Sequence, residues 1–91
     1  MRDTVTFKDT ITVEAFCKLR NSVGFQELTA AQAKTVLSNT SFLVTAVHGD
    51  IHIGLVRVLT DMVTDAYITD VIVHPDFQNQ GLGQKLVEHA L

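Results

Sequence analysis

The chain reads Phe42-Leu43-Val44-Thr45-Ala46-Val47-His48-Gly49-Asp50-Ile51-His52-Ile53-Gly54-Leu55-Val56-Arg57-Val58 where two apolar segments flank a Gly-Asp pair. Both segments are rich in β-branched residues, a composition that predicts strands. A two-residue loop of the primed type at Gly49-Asp50 joins them into a hairpin. Counting outward from this turn predicts four cross-strand pairs: His48 with Ile51, Ala46 with Ile53, Val44 with Leu55, and Leu43 with Val56.

Apolar pairs fall on both faces of this predicted hairpin, so the sheet needs cover above and below. We expect two helices on one face and a later helix on the other, which makes the fold α/β (α+β) with a mostly antiparallel sheet. A nucleotide-binding α/β fragment would need a parallel sheet, and the tight turn at Gly49-Asp50 makes these strands antiparallel. The antiparallel pairing therefore argues against a nucleotide-binding fragment.

Two helices are predicted before the hairpin. Thr12 is a candidate N-cap for the first helix. Polar residues followed by a glycine mark the end of this helix. Thr29 and Gln32 match a capping box, in which each side chain bonds the other residue's backbone N–H. The second helix therefore runs through an Ala-rich segment to Ser38. Val5–Phe7 alternates weakly and suits a short first strand or an extended arm.

The segment after the hairpin completes the predicted sheet and adds the last helix. Residues 60–65 are polar enough to turn the chain, and Ala66–Val73 reads as a further long strand. Pro75 ends that strand. Apolar residues then recur at helical spacing over 82–91, which predicts an amphipathic helix.

Charge and composition argue against several classes of function. The 91 residues carry a formal net charge of -3, so no basic field is present to attract nucleic acid. The longest apolar run is Phe42–Val47, whereas a membrane helix needs about 20 residues. The start, Met1–Thr4, has no apolar segment behind it, so we expect no secretory leader. These features predict one cytoplasmic domain over 1–91, without membrane or nucleic-acid partners.

The cysteine and the histidines give little sign of reactive or metal chemistry. Cys17 is the single cysteine and lies at helical spacing from apolar neighbours, which favours a core position over a nucleophile. The four histidines are too dispersed for a metal site and are expected at the surface or rim: His48, His52, His74 and His89. We therefore predict no metal ligands.

The stretch Asp70–Gly83 predicts a strand, a tight glycine-containing turn and a helix. The first turn of a helix has N–H groups without intrahelical partners and the positive end of the helix dipole, and glycines let an anion approach closely. Such a turn can bind a pyrophosphate, although small residues are also common where a strand simply turns into a helix. The stretch lacks a Walker pattern, and Leu86 replaces the third glycine of the dinucleotide fingerprint.

This turn resembles the signature of the GNAT N-acetyltransferases, which is Gln/Arg-x-x-Gly-x-Gly/Ala opening a helix after an apolar strand. Gln78-Asn79-Gln80-Gly81-Leu82-Gly83 matches at every defined position. Upstream, Leu19–Phe25 looks like the first helix and loop of bacterial members, and Tyr67–Asp70 looks like the entry to their fourth strand. The resemblance covers nearly all of the chain.

The resemblance implies that acetyl-CoA is the cosubstrate. Its pantetheine arm would lie along the fourth strand and take main-chain hydrogen bonds from Val71 and Val73, while the turn holds the pyrophosphate. A backbone N–H near Ile72 or Val73 would stabilise the oxyanion. The implied cofactor-binding residues are Val71, Ile72, Val73, Gln78, Asn79, Gln80, Gly81, Leu82, Gly83 and Gln84.

The reaction implied by the resemblance is direct attack on the thioester by a primary amine of a small molecule or peptide. The amine must be neutral to attack, so a general base is expected. Asp70 is the first candidate, with Tyr67 and Glu27 behind it. Asp70 could instead be a solvated or capping group, and Tyr67 could be a core or rim residue.

The resemblance also implies that complete relatives continue past the last predicted helix with a fifth strand, a fourth helix and a closing hairpin. We therefore expect the fold to stop after the third helix and the fourth strand to present an unpaired edge. Such an edge invites pairing with a second copy, which predicts a homodimer. The alternative to an enzyme is a non-catalytic acyl-CoA-binding or interaction module.

Overall fold

The polypeptide folds as a four-stranded antiparallel sheet in the order β1-β2-β3-β4 with three helices packed on it, in a computed structural model that describes residues 4–91. Residues 1–3, on which part of the expectation of no leader rests, lie outside the described range. The elements are β1 Val5–Lys8, α1 Val13–Ser22, α2 Ala30–Ser38, β2 Phe42–His48, β3 Ile51–Thr60, β4 Ala66–Val73, a 3-10 turn Pro75–Phe77, and α3 Leu82–Ala90.

Side-chain caps start the first two helices where the sequence predicts. The Thr12 hydroxyl accepts a hydrogen bond from the Ala15 N–H at 3.1 Å and begins α1. At α2, Thr29 Oγ1 accepts from the Gln32 N–H at 3.1 Å, and Gln32 Oε1 accepts from the Thr29 N–H at 2.9 Å. The predicted capping box is therefore confirmed.

The predicted hairpin is confirmed, but its register was predicted wrongly beyond the turn. His48 pairs with Ile51 as expected, whereas Ala46 pairs with Gly54 instead of Ile53. A β-bulge next to Ala46 leaves Ile53 as an extra residue on β3, and every later pair shifts by one. The shift places Gly54, which has no side chain, beneath α3, where a Cβ would lie 2.8 Å from Leu86 Cδ1.

Each face of the sheet has its own buried core, which confirms the helix-covered sandwich. On one face α1 and α2 pack over five buried residues: Phe16, Leu19, Ala33, Leu55 and Ile72. On the other face α3 packs over a second set: Ala46, Ile53, Val56, Leu82 and Leu86. Cys17 is half-buried against the first core. Between residues 4 and 91, no helix has the length and apolar character needed to cross a membrane.

Candidate functional site

The connection from β4 to α3 contains two residues in the left-handed region. Asn79 has φ 66° and Gly81 has φ 79°, a conformation that favours Asn and Gly over other residues. Gly81 is the N-cap of α3 and makes no side-chain capping bond. The first N–H groups of α3 therefore lack the side-chain acceptor that Thr12 and Thr29 give to the other two helices.

A depression of about 360 Å³ lies between this turn and the end of β4. Its lining residues are Val71, Val73, Phe77, Gln78, Asn79, Gly81, Leu82 and Gly83. A Cβ atom at Gly83 would lie 3.7 Å from Val73 Cγ2 and 3.8 Å from Val71 Cγ1, so a side chain there would cover the two valines. The glycine therefore leaves the helix backbone and the strand accessible together.

Gln78 ties the turn to the strand that precedes it. Its Nε2 donates a hydrogen bond to the Val73 carbonyl oxygen at 2.9 Å. This bond satisfies an acceptor at the end of β4 and orients the loop that leads into α3. The side chain is thus engaged within the chain, and the backbone of the turn carries the free N–H groups.

The direction of the backbone groups along β4 follows from one hydrogen bond. The His74 N–H donates to the Ile53 carbonyl at 2.8 Å and so points toward β3. Backbone groups alternate in direction along an antiparallel strand, so Ile72 also faces β3, while Val71 and Val73 face the opposite edge. Within residues 4–91, β4 has no strand partner on that edge. Its N–H groups at Val71 and Val73 are therefore open to an extended ligand.

Asp70, the first candidate base, is held in an ion pair. Its Oδ2 accepts from Arg57 Nε at 2.6 Å, and the two side chains are only 13% and 11% exposed. Arg57 Nη1 also donates to Thr40 Oγ1 at 2.9 Å, and Thr40 in turn donates to the Val36 carbonyl. This network joins the end of α2 to β3 and β4.

Tyr67 and Glu27 lie away from the turn. Tyr67 is 65% exposed and precedes Val73 by six positions, a separation of about 20 Å along a strand. Glu27 is exposed in the segment between α1 and α2. The structure thus brings Val71 and Val73 together with residues 78–83, and it leaves Tyr67 and Glu27 outside that group.

Sequence reasoning missed Arg57 and Gly54. Arg57 had a detectable signal, since a lone charged residue inside an apolar strand needs a partner when it is buried. Gly54 also interrupts an apolar run, and glycine in a strand often marks a bulge or a close backbone approach. Neither signal identifies the partner, because Asp70 and α3 lie far along the chain.

The histidines serve separate local roles. His74 Nδ1 accepts from the Asp76 N–H at 3.1 Å, and His89 stacks on Phe7 with ring centroids 3.9 Å apart. His52 Nδ1 lies 2.9 Å from Thr45 Oγ1. In the part of the chain that the structure describes, no three His, Cys, Asp or Glu side chains form a group that could hold a metal ion.

The model of the Acetyltransferase (GNAT) family matches residues 10–91 of this chain. Among curated proteins, the uncharacterized N-acetyltransferase ycf52 of Pyropia yezoensis is 32% identical over 98% of this chain and 57% of its own length. The ycf52 protein of Gracilaria tenuistipitata var. liui is also 32% identical, over 96% of this chain and 50% of its own. The chain thus spans about half the length of these relatives.

Solved structures agree with this match. A probable acetyltransferase from methicillin-resistant Staphylococcus aureus superposes with a TM-score of 0.87 at 33% identity, over 94% of this chain and 65% of its own. A GNAT family protein from Streptococcus pneumoniae superposes with a TM-score of 0.79 at 28% identity, over 97% of this chain and 64% of its own. The family match, the curated relatives and the shared fold agree, and the chain belongs to the GNAT family of acetyltransferases.

Proposed function

We propose that the chain binds acetyl-CoA along β4 and transfers its acetyl group to a primary amine of a small molecule or peptide. The observation that carries this proposal is the meeting of two sets of open N–H groups. One set lies on the outer edge of β4 at Val71 and Val73, and the other lies at the uncapped start of α3. An extended amide-containing arm that ends in a pyrophosphate matches both sets.

The cofactor would place its pyrophosphate on the turn of residues 78–84, where the α3 dipole and the free N–H groups favour an anion. Its pantetheine amides would pair with Val71 and Val73 as an added strand does. Whichever of these two N–H groups does not pair with a pantetheine amide is the candidate for stabilising the oxyanion. Ile72 is the weaker candidate for that role, because its N–H faces β3.

In the transfer step, the amine nitrogen bonds to the thioester carbonyl carbon and the carbon–sulfur bond then breaks. A proton leaves the nitrogen, and the departing thiolate takes one up. Asp70 is the proposed proton acceptor, since its second carboxylate oxygen has no protein partner among the described residues while Arg57 holds the first. Arg57 is then a positioning residue for Asp70.

The test of the proposal is binding followed by turnover. Acetyl-CoA and free CoA are titrated into the purified chain by calorimetry, and thiol release is then followed with a panel of primary amines. We expect saturable binding and thiol release that depends on the amine. Absence of binding at millimolar ligand would contradict the proposal. Binding without turnover for every amine would support the non-catalytic acyl-CoA-binding module instead. This alternative arises because the chain spans only about half the length of its curated relatives.

Replacing Asp70 by Asn tests the assignment of the base. General base catalysis contributes about 100-fold or more, so we expect turnover to fall by that factor while the affinity for acetyl-CoA is retained. Tyr67→Phe is the matched control, and it should change turnover by less than about threefold. Equal losses in both variants would rule out this assignment.

The homodimer and the cytoplasmic location remain predictions. The outer edge of β4, ahead of the positions proposed for the cofactor, carries exposed apolar side chains at Tyr67 and Ile68, and an unpaired edge of this kind favours pairing with another strand. Light scattering should therefore give twice the chain mass of 10.0 kDa at high protein concentration. A mass that stays at one chain under those conditions rejects the dimer.

A further inference from the structure

The backbone carbonyl of Val73 is occupied by a side chain of the chain itself. Gln78 Nε2 donates a hydrogen bond to this oxygen at 2.9 Å. The N–H and C=O of one residue point to the same side of an antiparallel strand, so the Val73 carbonyl points with its N–H toward the outer edge of β4. Gln78 therefore covers the outward acceptor of Val73 and leaves the outward donor open.

This carbonyl is the acceptor that an extended ligand would use at the end of β4. The pantetheine arm of acetyl-CoA contains two amides, each with one N–H donor and one carbonyl acceptor. An extended segment added to a sheet edge donates to the outward carbonyls and accepts from the outward N–H groups. An arm amide can donate to Val73 only after Gln78 has released the oxygen, so the arm replaces one hydrogen bond there and adds none.

The composition of the turn indicates where the released Gln78 amide can be used. None of the residues that line the depression between the turn and β4 is charged, and the polar side chains among them are the amides of Gln78 and Asn79. A pyrophosphate on this turn therefore depends on backbone N–H groups and side-chain amides. Gln78 is the first residue of the turn, so its released amide can donate to the anion. A hydrogen bond to a charged acceptor is stronger than one to a neutral carbonyl.

We propose that Gln78 is a specificity-determining residue that couples binding of the arm to binding of the pyrophosphate. A ligand with the arm alone breaks the bond between Gln78 and Val73 without compensation. Acetyl-CoA replaces that bond, because its pyrophosphate accepts from the released amide. The site thereby selects thioesters of coenzyme A over thioesters of free pantetheine. This inference rests on the proposed binding of acetyl-CoA along β4.

The first test compares two ligands, acetyl-CoA and S-acetylpantetheine, by calorimetry with the parent chain and Gln78→Met. Methionine has a similar length but no donor, so it leaves the Val73 carbonyl open. We expect S-acetylpantetheine to bind about threefold more tightly and acetyl-CoA about threefold more weakly, as the loss of one ordinary hydrogen bond implies. The matched control is Gln26→Met, an exposed glutamine outside the turn, which should leave both affinities unchanged.

The pattern of the two affinities separates this role from a merely structural one. If Gln78 only orients the loop, Gln78→Met weakens both ligands equally, and that result would overturn the proposal, as would S-acetylpantetheine binding that does not tighten. Failure of the parent chain to bind acetyl-CoA would contradict the proposed function and this inference with it. Acetyl-CoA binding by the parent with an unchanged ratio of affinities in Gln78→Met would contradict this inference alone. Gln78 is exposed, so the variant should fold.

NMR of the side-chain amides in ¹⁵N-labelled chain provides a second, direct readout. Without ligand, the Gln78 amide hydrogens should exchange with solvent more slowly than those of Gln26, because one of them is bonded to Val73. Saturating S-acetylpantetheine should abolish this protection, whereas acetyl-CoA should shift the Gln78 signal and retain it. Equally fast exchange at Gln78 and Gln26 in the unliganded chain, or protection that persists with S-acetylpantetheine, would refute the coupling.

Discussion

Gly83→Asp is expected to raise the dissociation constant of acetyl-CoA at least a hundredfold and to leave the fold intact. The new Cβ meets Val73 Cγ2 at 3.7 Å and Val71 Cγ1 at 3.8 Å, which are ordinary contacts. The carboxylate then lies at the start of α3, where the pyrophosphate is proposed to bind. Like charges at close range in a partly enclosed site oppose each other by several kcal/mol, about 4 kcal/mol at an effective dielectric of 20.

The same substitution should not destabilise α3, so a loss of acetyl-CoA affinity in this variant cannot be attributed to a loss of folding. An acidic side chain in the first turn of a helix is favourable by about 0.3–1 kcal/mol, and glycine is the poorer helix former. Thermal unfolding should therefore show an unchanged or higher Tm. Gly83→Ala is the matched control, because it adds the Cβ without the charge and should retain more of the affinity. An Asp variant that binds acetyl-CoA as tightly as the parent would refute the proposed pyrophosphate turn.

Gly54→Ala is expected to lower the free energy of unfolding by about 1–3 kcal/mol, as overpacking of a filled core does. The added Cβ would lie 2.8 Å from Leu86 Cδ1 and 3.3 Å from both Leu82 Cδ2 and the Ile72 carbonyl oxygen. Both leucines are fully buried in the core beneath α3 and have little room to move. Either the Leu86 side chain or the helix must therefore shift away from β3.

Denaturant unfolding measures this loss, which corresponds to a fall in Tm of at least about 4 °C for a chain of this size. The control is Gly24→Asn, because nothing lies within 4 Å of a Cβ at Gly24 and Asn tolerates its φ of +78°. The control should lose less than about 1 kcal/mol. Because α3 carries the turn, Gly54→Ala should also weaken acetyl-CoA binding. Equal stability of Gly54→Ala and the parent would contradict the close packing of α3 on β3.

Local features of the sequence were sufficient to locate the elements and the turn between β4 and α3. Thr12 and Thr29 begin helices because their hydroxyls reach N–H groups only three residues away. Gly49 turns the hairpin with a φ of +63°, again through a local preference. The turn of residues 78–83 could be recognised for the same reason, since its residues are adjacent in the chain.

What the sequence by itself determined is therefore the set of elements and the position of the glycine-containing turn between β4 and α3, which depend on contacts within a few residues. It also indicated the two-sided sandwich, because apolar residues fall on both faces of the predicted hairpin. Only the tertiary structure decided the bulge at Ile53, the pairing of Arg57 with Asp70, and the outward direction of the Val71 and Val73 N–H groups. Each of these depends on which residues from different elements meet, and close packing of the two cores selects that arrangement. Local preferences contain almost no information about this arrangement. A shift of one residue in register leaves the local preferences unchanged, while it alters every contact across the sheet.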